Sequence, residues 1–310
     1  MTLRASGMDL GRLKADASST IQPRSGIWAA VGASFLWGVL AIYRKQLEEV
    51  PAVEVIAHRV FRSFWFLLAI LPFRGWMRQF LSALRNPRVA ALYLVSGLLL
   101  TVNWLTFFHA VQQRRIVDAS LGYFLNPLFS IALGALVLQE RLRSVQWMAV
   151  AFAAAGVLVQ LALLGSLPWV SLVLATTFAF YGLLRKQGSL GALTGQAVET
   201  ALIAPFAAAY LAWMSSRGEG VLGNSGWETH GWVASTGIVT ANPLVLFATA
   251  ARTLPLTTIG LCQYLAPSLQ LAVGTLLYAE AFGAGRLLAF AFIWAGLAIY
   301  TVDGVRRGRI

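Results

Sequence analysis

The chain is poor in charge, and poorest in acid. Only 12% of its 310 residues are Asp, Glu, Lys or Arg, and 12 acids stand against 24 bases. A soluble domain carries about 25% charged residues, so an ordinary water-soluble globule is excluded. A single cysteine, Cys262, rules out an intramolecular disulfide. The three histidines, His58, His109 and His230, make no metal set in the sequence. H-E-x-x-H, G-x-S-x-G and phosphate-cradling glycine loops are all missing. The chain therefore reads as no enzyme, with no cofactor and no metal, and as no ATP-driven pump. A net charge of +12 would suit nucleic acid. The bases, however, sit in short clusters between apolar runs, which is a membrane-topology signal. The expected surroundings are a lipid bilayer, not nucleic acid.

What the chain does have is apolar length. It is 58% hydrophobic, with a mean hydropathy of +0.70. A bilayer core needs roughly 20 apolar residues per helix, and helices satisfy their own backbone in lipid. Ten spans fit, at about 26–43, 53–73, 89–111, 117–139, 144–163, 167–184, 193–214, 231–251, 256–279 and 285–302. Gly165-Ser166-Leu167-Pro168 supplies a turn inside the uncharged run 144–184. Residues 1–25 are polar and lack a signal-peptide core, so they read as a disordered cytoplasmic leader. Arg74, Arg78, Arg85, Arg88, Arg141, Arg143, Arg185, Lys186, Arg252 and the tail 304–310 then fall on one side. Fewer bases fall opposite: Arg44, Lys45, Arg114, Arg115, Arg217 and Arg286. That imbalance places both termini in the cytoplasm.

The sequence also repeats itself. Pro127, Gly134, Glu140 and Gly156 match Pro267, Gly274, Glu280 and Gly296 at one offset, 140 residues. Looser matches join Trp37-Gly38 to Tyr181-Gly182, Glu54 to Glu199 and Asn103 to Asn242. The halves are 26–163 and 164–303. Five spans in each would invert the second copy, an all-α build that places a substrate site at the midplane.

Charge inside a span costs at least about 2.5 kcal/mol per residue, and the second span holds several charges. Glu54, His58 and Arg62 recur every four residues on one face, with Arg59 on its flank. The face is either a pocket or proton relay, or a structural ion pair with Arg62 snorkelling. Glu199 either takes a proton, pairs with a cation or caps a helix. Tyr123, Asn126, Pro127 and Ser130 follow helical spacing, answered by Gln263, Pro267 and Gln270. Each proline frees a carbonyl, so Pro127 and Pro267 read as hinges beside polar residues. Asn126 and Gln263 either line a cavity or bond neighbouring helices. Asn103, Trp104 and Asn242 add polar groups at similar depth, and Trp104, Tyr181 and Tyr264 are candidates to stack on a substrate. The expected cavity lies between the third, fourth, eighth and ninth spans, with charge from the second and seventh. Glu140 and Glu280 read as ties to an arginine or to helix N-termini. Ala151 and Ala155, like Ala291 and Ala295, read as small-residue packing faces.

Taken together, Val50-Pro51 with Glu54, His58-Arg59, Asn103-Trp104, Ser120 to Phe124 with Asn126-Pro127, Glu140-Arg141, Gln146-Trp147, Gly165 to Pro168 and Phe178 to Gly182 resemble the RarD-type permeases. These belong to the EamA group of the drug/metabolite transporter superfamily, and the likeness covers roughly 26–303. It implies ten helices in two inverted five-helix repeats, cytoplasmic termini and permease activity in the bacterial inner membrane. The expected function is secondary transport of a small organic metabolite or an amphiphilic, chloramphenicol-like drug by alternating access. A proton-coupled amino-acid exporter and a membrane scaffold or sensor without flux are the alternatives. The sequence leaves direction, coupling ion and homodimer formation open.

Overall fold

Continuous apolar sequence, broken by proline and glycine, dictates the architecture. The structure is a computed structural model and describes residues 23–47, 49–113, 116–164, 169–221, 226–277 and 284–306. The leader up to residue 22, Arg114, Arg115, the 165–168 turn, Glu280 and the tail from 307 lie outside the described residues. Every regular element among the described residues is helical. In order they are α1 (Pro23–Lys45), α2 (Ala52–Ile70), α3 (Met77–Arg85), α4 (Pro87–Gln112), α5 (Ile116–Leu136), α6 (Ser144–Leu164), α7 (Trp169–Gln187), α8 (Ala192–Ser216), α9 (Trp227–Thr253), α10 (Leu256–Gln263), α11 (Leu265–Leu277) and α12 (Ala284–Arg306).

Among the described residues, six stretches are long and apolar enough to cross a membrane: Pro87–Ala110, Ser144–Leu163, Ala192–Ser216, Trp227–Thr253, Leu256–Leu277 and Leu287–Arg306, with Leu121–Leu136 as a shorter one. The second span reaches 19 residues in α2, about 28 Å at the helical rise, but Glu54, Arg59 and Arg62 lower its hydropathy. Large apolar side chains face outward around the bundle, including Trp28, Leu158, Phe206 and Leu276. Such a perimeter suits lipid.

Turn chemistry sets the boundaries. Pro51 and Pro255 precede α2 and α10. The Asn86 side chain accepts from the Arg88 and Val89 amides and so caps α4. The two prolines at the repeat offset behave differently. Helix α5 runs unbroken through Pro127. The ninth span instead breaks at Tyr264, just before Pro267, where the Tyr264 amide falls back to a bond with Leu261. The Pro267 ring crowds the carbonyl four residues earlier, and only this copy yields.

Helices of the first half pack chiefly on helices of the second. The pairs are α6 with α12, α5 with α7, α1 with α11, α2 with α8, α2 with α9, α4 with α8, α1 with α9, α4 with α7 and α5 with α10. Ala149, Ala153 and Gly156 of α6 meet Ala289, Ile293 and Gly296 of α12, all buried. The expected Ala151 and Ala291 faces point outward instead and are exposed. A helix in a two-sided apolar environment gives no amphipathic cue to which small residue faces protein.

Candidate functional site

Helices α2, α4, α8 and α9 line a small, partly open cavity of about 20 Å³, room for roughly one water. Ser63, Thr101, Trp104, Glu199, Thr200 and Thr240 supply most of its polar and aromatic lining. Arg59 stands beside it. Its Nε donates to Thr240 Oγ1 at 2.8 Å, and its guanidinium lies 4.4 Å over the Trp104 ring. A desolvated cation over an indole is worth about 2 kcal/mol. The two residues that the sequence marked separately thus form one unit.

Glu199 is 2% exposed and heavily held. It accepts from Ser96 Oγ at 2.7 Å and from Gln196 Nε2 at 3.0 Å. Arg185 Nη1 stands 3.8 Å away. Arg185 also donates to the Ala192 carbonyl at 2.9 Å and packs on the Tyr93 ring. Tyr181 donates to Gln196 at 3.3 Å and stacks on Phe247. Sequence reading missed Ser96 and Gln196, because uncharged polar residues in an apolar run stand out weakly. It counted Arg185 as a loop charge, but Arg185 is buried. The buried carboxylate one helix away supplies the compensation that makes this burial affordable.

Asn126 and Gln263 meet where α5 crosses α10, with Asn126 Nδ2 donating to Gln263 Oε1 at 3.4 Å. One acceptor, Asn126 Oδ1, and one donor, Gln263 Nε2, remain buried without a hydrogen-bond partner. Exchanging both amide assignments still leaves one donor and one acceptor. Tyr123 is half-buried nearby in sequence, its ring 5.7 Å from Phe107. Tyr264 is fully buried and donates to the Phe124 carbonyl, so it packs rather than lines open space. Gln270 donates to the Trp37 carbonyl at 3.3 Å. Asn103 donates to the Leu174 carbonyl and to Thr177, tying α4 to α7. Asn242 is exposed. The polar residues expected in one cavity therefore occupy several helix contacts, and the small cavity lies nearer the second and seventh spans.

Glu54 and His58 form a second buried group. Glu54 Oε1 accepts from the Val221 amide at 2.7 Å, fixing the α8–α9 connection. His58 Nε2 is 3.6 Å from the same carboxylate. Glu54 Oε2, both His58 ring nitrogens and Arg62 Nε are buried without hydrogen-bond partners. Close by, the Tyr43 hydroxyl bonds the Trp232 carbonyl and Ser235. At the other end of α9 a different set of ties closes the bundle. Glu140 accepts from the Leu256 and Thr257 amides at 2.7 and 3.0 Å. Lys186 donates to the Leu254 carbonyl at 2.6 Å, and Arg252 to the Gly188 carbonyl at 2.9 Å. Glu140 is thus the helix N-terminal tie that its position suggested. His58, His109, His230 and the acids form no metal-holding group among the described residues.

Comparison with known proteins places this arrangement. Residues 24–162 match the model of the EamA-like transporter family. An uncharacterized transporter of Pseudomonas aeruginosa is 45% identical over 294 residues, covering 93% of this chain and 97% of its own. Protein RarD of Escherichia coli is 40% identical over 284 residues, covering 92% and 96%. Another Pseudomonas aeruginosa relative, named chloramphenicol-sensitive protein RarD, is 29% identical over 289 residues, covering 91% and 95%. A crystal structure of a protein, 22% identical, covers 90% of this chain and 98% of its own with a TM-score of 0.69, a likeness of fold alone. Apolar helices wrapped around buried charge, and identity running nearly end to end with these relatives, make this chain a membrane transporter of the EamA family, of the RarD type.

Proposed function

We propose that the chain is a secondary transporter that moves a small organic metabolite or an amphiphilic drug by alternating access. The observation that carries this is the small cavity between the two halves, with its polar and aromatic lining. Side chains from α2 and α4 of one half and α8 and α9 of the other converge on it. Drug-sized ligands occupy about 300–1,000 Å³, so loading such a cargo requires these four helices to move apart. Ties at both ends of α9 supply two gates. Trp104 with Arg59 offers an aromatic face and a cation, and Glu199 an acid. Asn126 and Gln263 contribute their free donor and acceptor as helices shift, with Pro127 and Pro267 as hinges. The halves 26–163 and 164–303 are read as inverted repeats of five spans, with both termini in the cytoplasm of a bacterial cell. Helix pairing supports this, since exchanging the halves turns α5 with α7 into α11 with α1, and α2 with α9 into α8 with α4.

The test is flux in proteoliposomes against a panel of labelled metabolites and drugs. Chloramphenicol belongs in the panel because of one relative's name. Saturable flux that Arg59→Gln or Trp104→Ala reduces without loss of folded protein is the expected result. Absence of flux across the panel favours a scaffold or sensor. Proton coupling has one observation in its favour, the buried Glu54–His58 pair with unpartnered atoms. If it operates, collapsing the proton gradient stops uphill transport and His58→Gln flattens its pH profile. Unchanged transport without a gradient removes the proton relay.

A further inference from the structure

The helix between the second and third spans carries a feature outside the cavity described above. Helix α3 packs its Phe80 and Ala83 into the core cluster with Leu67, Leu71 and Tyr93. Arg78, Ser82 and Arg85 follow i, i+4, i+7 spacing and form the opposite, exposed stripe. The stripe continues into Arg88 at the start of α4, where Asn86 turns the chain. Together these residues line an open groove of about 690 Å³, with Leu81 along its wall.

No carboxylate answers these charges. The sequence holds no acid between Glu54 and Asp118, and among the described residues no ion pair involves Arg78, Arg85 or Arg88. Position adds a second constraint. Helix α3 joins the end of α2 to the start of α4, and Pro87–Ala110 of α4 is long and apolar enough to cross a membrane, so α3 sits at the end of a spanning helix. That is headgroup depth for an amphipathic helix. Leu81, 45% exposed, gives the same surface an apolar margin.

We propose that this groove binds the phosphodiester headgroup of an anionic phospholipid. Arginine forks fit phosphate oxygens two at a time, while Leu81 lies against the acyl chains. The occupant is a lipid rather than free phosphate because the groove pairs an arginine stripe with the exposed apolar Leu81 at the end of a spanning helix. The bound lipid would brace α3, and through it the α2–α4 pair that lines the central cavity.

The test titrates the purified full-length chain, in neutral detergent, with phosphatidylglycerol, phosphatidylcholine or sodium phosphate while Tm is followed. Phosphatidylglycerol should raise Tm, and the other two should not at equal concentration. R78Q/R85Q/R88Q should need at least about tenfold more phosphatidylglycerol for the same shift. R141Q, an exposed charge outside the groove, should respond as wild type does. Should the triple variant fold poorly, R85Q alone must still show a partial loss. An equal response to phosphatidylcholine, an equal response to phosphate, or an unaltered R78Q/R85Q/R88Q titration each overturns the proposal.

Discussion

Phe152 and Phe292 face one another across the α6–α12 contact, with ring centroids 6.2 Å apart, and the repeat offset of 140 residues separates them in sequence. A residue that touches its own counterpart lies near the axis relating two copies. The flanking contacts obey the same exchange. A Cβ on Gly156 would stand 2.6 Å from the Ala289 carbonyl oxygen, and one on Gly296 would stand 2.6 Å from the Ala149 carbonyl oxygen. Because each glycine meets the far end of its partner's motif, α6 and α12 run antiparallel. This supports the inverted-repeat reading at the level of single atoms.

The first prediction concerns those glycines. Each lies against backbone, which cannot swing aside, so a side chain must push the helices apart. Gly156→Leu and Gly296→Leu should each destabilise the protein by about 1–3 kcal/mol, the usual range for overpacking. The effects should be of similar size, read as loss of Tm in detergent. A silent Gly296→Leu beside a damaging Gly156→Leu would contradict the paired geometry.

Glu140 gives a second prediction. Its carboxylate holds the first two amides of α10, where the helix dipole also favours negative charge. Glu140→Ala should cost about 1–2 kcal/mol, and Glu140→Gln less. Gly134 makes room for this carboxylate, since a Cβ there would stand 2.7 Å from Glu140 Oε2. Gly134→Ala should therefore be costly in the wild type and clearly less so in the Glu140→Ala background, where only the Thr257 methyl, 3.0 Å away, still crowds it. Equal costs in both backgrounds would show that the two sites are independent.

A third prediction concerns Glu199 and Arg185. Both are buried, and removing one leaves the other charge without compensation. Glu199→Gln and Arg185→Gln should each cost about 3–5 kcal/mol. The double variant should cost clearly less than the sum, because no lone charge remains. Additive losses on thermal unfolding would mean that Glu199 answers to something other than Arg185.

These cases show what was legible in the sequence and why the rest was not. Apolar length revealed the helices, and the fixed offset revealed the repeat, because lipid and duplication both leave linear signals. Glu140 was legible as a helix tie because it ends an apolar run in both copies. Arg185 was not, since a base at the end of a span usually reaches water and only the fold brings Glu199 beside it. Ala151, which is exposed, misled for a related reason. Small residues recur all round α6, and burial selects Ala149, Ala153 and Gly156 instead. The cavity depended on helix crossings that no spacing rule encodes, so Arg59 over Trp104 emerged only in three dimensions.

The last prediction separates structure from transport at Asn126 and Gln263. The two amides share one 3.4 Å hydrogen bond and bury a free acceptor and a free donor. Such a pair is a poor stabiliser, because a net hydrogen bond is worth about 1 kcal/mol and each unsatisfied buried group costs about 1–3 kcal/mol. Asn126→Ala alone removes the bond and leaves Gln263 wholly unpaired, so it should destabilise. Asn126→Leu with Gln263→Met replaces both amides by apolar groups of similar size. That double variant should be as stable as wild type or more so, by thermal unfolding. Its flux should nevertheless fall at least several-fold for any substrate found in the proteoliposome panel, if the free donor and acceptor serve the moving cargo. Pro127→Ala should instead slow exchange between facing states more than it weakens substrate binding. A stable double variant with wild-type flux would move the binding site to Arg59, Trp104 and Glu199. A double variant that unfolds would make the amides a structural bond between α5 and α10.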